Sequence, residues 1–348
     1  MSTIVRQAVF AGIDISKYVN SWASVEQVKD VLLVRATFMT SEMNLECYSG
    51  TGLALMLKGM NWYNAPLLIY VDSVLVYEGL TRNININDTE RTATFITENV
   101  LKGPAESLIA YTGTGLNPAS AMLSIARQVV AVQYIDTNSF ALAGGPSSQA
   151  GATVNVAFAQ GGNTTALQAL QQIGDLASIA VYVVGNRIVA KPFRAYRGNL
   201  AGLRFTIRDG NIREWGTAGY DASSFNNRVS VGYGSQYVSL DDVRSQRKNK
   251  VIRDIQFPNT GPVVASNRQS AAFYGSLYLK RAAMRKRLIP VAGGVELKMV
   301  AIGDQHPVTN ARQGLTQYPV EVIEVHRNLD TSETELLLAT LPPEDAVC

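Results

Sequence analysis

Residues 163–193, NTTALQALQQIGDLASIAVYVVGNRIVAKPF, spell out a helix, a turn and a hairpin without interruption. Asn163, Thr164 and Thr165 each carry a side-chain oxygen that can cap a helix start by accepting a free backbone N–H. Leu167, Leu170, Ile173, Gly174 and Ala177 then recur at helical spacing and share one face. Ile179 to Val184 is an apolar, branched run suited to a strand, and Gly185-Asn186 is a two-residue turn of the kind that tolerates positive φ. Arg187 to Lys191 is the return strand, which Pro192 ends because it has no N–H to give the ladder. The apolar helix face needs a partner, so the spacing predicts a helix laid on a hairpin.

Working outward, the N-terminal side turns to β structure. Asp30 to Thr40 puts Leu32, Val34, Ala36 and Phe38 on one side of a strand, and Pro66 to Val76 gives two short runs around Asp72-Ser73. Ile84 and Ile86 alternate with polar residues, Asn87-Asp88 supplies a turn, and Thr92, Thr94 and Ile96 alternate with Ala93, Phe95 and Thr97. Short strands with turns between them predict a small barrel or sandwich over residues 1–100. Between 101 and 200 the pattern is mixed. Asn117-Pro118 is a cap followed by a first-turn proline, and Met122, Ile125, Ala126, Val129 and Val130 form the buried face of the next helix. Gln133 to Phe140 and Ala152 to Phe158 read as strands separated by the loop AGGPSSQAG.

Past the hairpin, Leu203 to Ile207 and Asn227 to Tyr233 return to β structure. Residues 236–262 carry Arg244, Arg247, Lys248, Lys250 and Arg253 with few apolar anchors and read as a long loop, a length that compact domains keep for function. A helix is expected from Ser266 to Leu288, with Phe273, Leu277, Met284 and Leu288 buried and Pro290 closing it. Residues from Val295 to Leu341 alternate again. Asp88-Thr89-Glu90 before TATFIT and Asp330-Thr331-Ser332-Glu333 before TELLLATL fill the same place in two strand-turn-strand passages, which points to a duplication.

Composition excludes several classes. A chain of 348 residues, 47% hydrophobic and 17% charged, buries two to four compact units and is not a disordered segment. Its low charge suits a surface covered by neighbours. No basic start precedes an apolar core and no run of 18 apolar residues occurs, so membrane insertion is not expected and synthesis in the cytoplasm is. Cys47 and Cys348 make neither a disulfide framework nor a zinc spacing. A net charge of +3 argues against a general nucleic-acid binder, but the charge is uneven. No Lys or Arg lies between Arg127 and Arg187. Seven cations, Arg268, Lys280, Arg281, Arg285, Lys286, Arg287 and Lys298, face one acid, Glu296, and the chain from Glu321 onward is acidic. Such asymmetry suits neighbouring copies that meet with complementary potentials. Arg244, Arg247, Lys248, Lys250, Arg281, Arg285 and Lys286 are therefore the candidate subunit or partner interface.

Catalytic and cofactor motifs are weak throughout. Gly113 to Pro118 places a glycine loop before a helix, but no cation follows until Arg127, so a phosphate cradle lacks its charge. No GxSxG occurs; His326 sits in an alternating strand, and His306 in the turn GDQHP beside Asp304 cannot fill a metal site. Glu46, Glu78, Glu214 and Glu296 lie in ordinary strand or turn contexts. No enzyme activity, cofactor or metal is expected.

The helix-on-hairpin stretch, the phrase FNNRVSVGYG over 225–234 and the strand-turn-strand ending together resemble the baseplate-hub or tail-tip hub proteins of bacteriophage tails and related contractile devices. The resemblance implies an α+β fold. Two similar small β-barrel domains, at 1–100 and at 201–235 plus 294–342, would flank an inserted α/β domain at 101–200. A loop and linking helix would occupy 236–293, with a tail at 343–348. It further implies a structural, ring-forming homotrimer at the virion tail tip or baseplate. Two barrels in each of three subunits would match the hexameric tail tube or distal tail protein above. The tape-measure protein and a central spike or tip protein would be further partners, and DNA would pass through the channel. The alternatives are a virion-associated cell-wall hydrolase and the hub of a non-viral contractile injection device.

Overall fold

The computed structural model describes residues 4–22, 24–28, 43–48, 51–87, 89–184, 186–192, 207–208, 210–221, 225–298 and 300–341. The strand expected over 30–40, most of the one over 203–207 and the tail beyond 341 lie outside the described residues. The architecture is α+β, mostly sheet. Helices are α1 (Thr51–Lys58), α2 (Lys102–Glu106), α3 (Pro118–Val129), α4 (Thr137–Gln149), α5 (Ala166–Ala177), α6 (Val243–Asn249) and α7 (Arg268–Ala282).

Two large sheets share one plan. In the first, Met43–Tyr48 lies beside Thr92–Glu98, then Val74–Asn87, then Pro66–Val71, with Arg6–Phe10 beyond. In the second, Lys286–Gly293 lies beside Glu333–Thr340, then Leu315–Asn328, then Gln305–Asn310. Four consecutive strands are thus laid down in the same order twice.

The match extends to single residues. Each central strand has 14 residues. Asn87 Oδ1 accepts the N–H groups of Thr89 and Glu90, at 3.1 Å each; Asn328 Oδ1 accepts those of Asp330 and Thr331, at 3.0 Å each. Arg91 and Ser332 both take positive φ, 54° and 58°, before the return strands begin at Thr92 and Glu333. The bulges also coincide, at Thr81/Asn83 and at Val322/Glu324. A bulge and an αL residue each fix register, and here both recur. The true alignment pairs Asn87 with Asn328, one residue away from the one suggested by the DTE and DTSE tripeptide similarity.

Between these sheets lies an α/β core. Of the three candidate caps Thr165 is the one used, in a capping box with Gln168, and Leu170, Ile173, Gly174 and Ala177 are buried. The Ile179–Val184 and Arg187–Pro192 hairpin forms in the expected register. Both of its faces are covered. Val181, Val183, Ile188 and Ala190 pack with α3, α5 and α7, while Ala180, Tyr182 and Val189 pack with the second sheet. This is why the run is continuously apolar rather than alternating.

Four expectations are corrected. Residues 133–140 and the loop AGGPSSQAG are not a strand and loop; a short 3₁₀ turn at Val132–Tyr134 leads into α4, whose Gly144 carbonyl accepts from Asn117 Nδ2 at 2.9 Å. The loop expected over 236–262 is a strand (Gln236–Asp241), α6 and a second strand (Asp254–Phe257), which flank Arg228–Tyr233 in a three-stranded sheet. Val229 and Val231 of that central strand, read from the sequence as part of the second barrel, pack in the α/β core against α7. The helix expected over 266–288 ends at Ala282, and Pro290 lies inside a strand. Its buried stripe is Ala271, Tyr274, Gly275, Tyr278, Arg281 and Ala282, while Phe273 and Leu277 are only half-buried. Among the described residues no helix is long and apolar enough to cross a membrane, and no metal-binding cluster occurs.

Candidate subunit and partner interface

The basic segment is held rigidly. Asp242 Oδ1 accepts the Ser245 N–H at 2.7 Å and caps α6, whose last residue is followed by Lys250 in the αL conformation (φ 54°). Ser245 Oγ donates to the Ala283 carbonyl at 2.6 Å, tying α6 to the end of α7. Asn227, fully buried, donates from Nδ2 to the Val251 carbonyl and accepts from the Arg253 N–H, while Asn226 Nδ2 donates to the Tyr278 hydroxyl. The two asparagines of FNNRVSVGYG are thus clamps that fasten the strand to the excursion and to α7. Gly232 in the same phrase is required by space: a Cβ there would stand 2.2 Å from the Asn259 backbone.

Against this frame the seven candidate residues divide. Arg244, Lys248 and Arg285 come together with Lys280 around a cleft of about 340 Å³ between α6 and the end of α7, with Tyr220 also lining it. All four cations are exposed, and Arg285 lies over the Phe225 ring, 5.6 Å from its centroid. Arg247 and Lys250 are exposed elsewhere on the same segment. Arg281 and Lys286 are buried inside the subunit, 0% and 1% exposed, and present nothing to a neighbour. Arg281 completes the inward stripe of α7 at Ala271, Tyr274 and Tyr278, and its guanidinium lies 5.4 Å from the Tyr278 ring centroid.

A second groove was not legible in the sequence. The outer face of the second sheet carries Glu214, Glu324, His326 and Glu335 around a groove of about 430 Å³. Cross-strand register lines up Glu214, Ala292, Glu335 and His326 on four neighbouring strands. His326 Nδ1 is 3.5 Å from Glu335 Oε2. The only signal was the acidic run after Glu321; Glu214 comes from far away. His306 departs from its expected place in a turn and is a buried residue of strand Gln305–Asn310.

The two sheets also touch. Arg6 Nε donates to the Leu329 carbonyl, its Nη2 donates to Asp330 O and Ser332 Oγ, and Leu329 is buried in the first sheet's core. Asp72 accepts the Val5 N–H and meets Lys298 Nζ at 3.2 Å, which together hold its carboxyl below the ordinary range. Burial pulls the Arg327 guanidinium down to about 10, still charged at neutral pH.

This architecture has close counterparts among solved structures. A tail protein from Neisseria meningitidis superposes with a TM-score of 0.61 at 10% identity, covering 97% of both chains. The chain has the fold of the phage tail-hub proteins. The 43 kDa tail protein of prophage MuSo2 from Shewanella oneidensis superposes too, with a TM-score of 0.56 at 12% identity over 99% of each chain. An Escherichia coli component of the type VI secretion system, described as structurally similar to the T4 tail proteins gp27 and gp5, matches at 0.52 and 7% identity, covering 100% of this chain and 79% of that one. No protein-family profile matches the sequence, and no curated protein is similar to it.

Proposed function

We propose that this chain is the structural hub of a phage tail tip or baseplate, a component of the virion tail rather than an enzyme. Three copies form a ring that joins the hexameric tail tube to the central spike or tip and leaves a channel for DNA. The observation that carries this reading is the duplicated four-strand sheet, matched down to its bulge and its asparagine turn. Two equivalent sheets in each of three subunits offer six equivalent surfaces, which is what a six-fold tube demands of a three-fold ring. The tube or distal tail protein, the tape-measure protein and the spike are the partners. The exposed cations Arg244, Arg247, Lys248, Lys250 and Arg285 belong to the contact surface.

Native mass spectrometry of the purified chain tests the ring. A species of three times 37.7 kDa, with a three-fold annulus by electron microscopy, is expected. A dimer, or an annulus without a central opening, sinks the proposal. A second reading, the hub of a non-viral contractile injection device, is favoured by the likeness to the type VI secretion component. Fractionation separates the two: the virion reading requires the chain to sediment with DNA-filled particles.

A further inference from the structure

We propose that the acidic groove on the second sheet receives the basic cleft of a second copy of this chain. The inference rests on the hub reading and names the surfaces that would close its ring. The two concavities are complementary in charge: Glu214, Glu324 and Glu335 line one, and Arg244, Lys248, Lys280 and Arg285 line the other. Asp242, the one acid in the basic cleft, is engaged with the Ser245 N–H. Both surfaces stand on ordered elements, the carboxylates on strands in fixed register, Arg244, Lys248 and Lys280 on helices tied by Ser245 and Ala283, and Arg285 in the short link between α7 and strand Lys286–Gly293. Charged groups held this way form shorter, stronger hydrogen bonds without a large ordering cost.

The duplication identifies the occupant. Aligning the sheets on Asn87 and Asn328 sets Glu324, His326, Glu335 and Leu337 against Asn83, Asn85, Thr94 and Ile96. Strand order, bulge and turn persist, yet at these four positions the ionisable groups occur on the second sheet only; the matching row of the first sheet, Asn85, Thr94 and Glu46, holds one acid on the neighbouring strand. A contact to a six-fold tube would use both sheets alike. A contact made once per subunit would use one, and the neighbouring subunit makes that kind of contact.

The test uses charge reversal at exposed positions only. One variant carries Arg244→Glu, Lys248→Glu and Arg285→Glu, a second carries Glu214→Lys and Glu335→Lys, and a third carries all five. Circular dichroism and melting first verify that each is folded. At low salt each of the first two sets weakens self-association by about ten-fold or more, and the five-fold variant regains it because both signs are inverted. Unchanged association in either partial set overturns the pairing, and so does a five-fold variant that stays dissociated. A wild-type dimer that responds in this way keeps the pairing and overturns the trimeric reading. A wild-type chain monomeric at every concentration overturns the pairing.

Discussion

Asn87 and Asn328 hold the same position in two hairpins, each accepting two backbone N–H groups two and three residues ahead. Replacing either by Ala removes the one acceptor that both N–H groups share, from a turn whose register the αL residue also sets. Asn328→Ala is expected to cost about 1–2 kcal/mol and Asn87→Ala less. The difference arises because the second turn also carries Leu329 into the first sheet's core. Urea denaturation of both variants measures it; an equal or reversed order contradicts this account.

Arg6 joins the two sheets through the Leu329 and Asp330 carbonyls and Ser332 Oγ. Arg6→Ala should destabilise by about 1–3 kcal/mol, since charged donors leave carbonyls in a partly buried seam. Arg6→Lys should recover little, because an ammonium cannot reproduce the fork. A melting temperature unmoved by Arg6→Ala would mean the seam is held by packing alone.

Gly174 on α5 lies against the strand that follows, where a Cβ would stand 2.4 Å from the Ile179 carbonyl oxygen. Gly174→Val should cost roughly 1–3 kcal/mol or more through overpacking. Four residues on, Ser178 ends the helix in the αL conformation (φ 58°) with a buried hydroxyl that has no hydrogen-bond partner. Ser178→Gly should stabilise by up to about 1 kcal/mol, by relieving the αL strain and removing the stranded hydroxyl. Opposite signs at two sites one turn apart are readily scored by thermal melts.

Asp72 contributes to stability in a pH-dependent way. Its carboxyl is held below the ordinary value of 3.8, first by the Val5 N–H and then by Lys298. The lowered value means that the carboxylate stabilises the fold above the ordinary value, and this is lost as pH falls through the lowered one. Wild type should therefore exceed Asp72→Asn in stability at pH 7, with the gap closing below about pH 4. A gap that is constant from pH 7 to pH 2 would show that the Asn variant loses something other than charge.

What could be read along the chain was what short segments settle among themselves. The cap at Asn117, a cap from among Asn163, Thr164 and Thr165, the hairpin over 179–192 and the turn at Asp72-Ser73 each depend on residues within a few positions, and all of them formed. Helix α4 went unread for the opposite reason. Gly144, Gly145 and Pro146 oppose a helix locally, and the packing of Phe140 and Ala143 in the core and the Asn117 bonds to Gly144 and Ser148 overrule them. Lys286 to Leu288 reads as the end of a basic helix, until Glu333–Thr340 on one side and Glu214–Trp215 with Gly219–Asp221 on the other claim the backbone groups of strand Lys286–Gly293. The acidic groove is the extreme case. It assembles carboxylates from 214, 324 and 335 by cross-strand register, and register between distant strands is a property of the packed sheet, which no local spacing encodes.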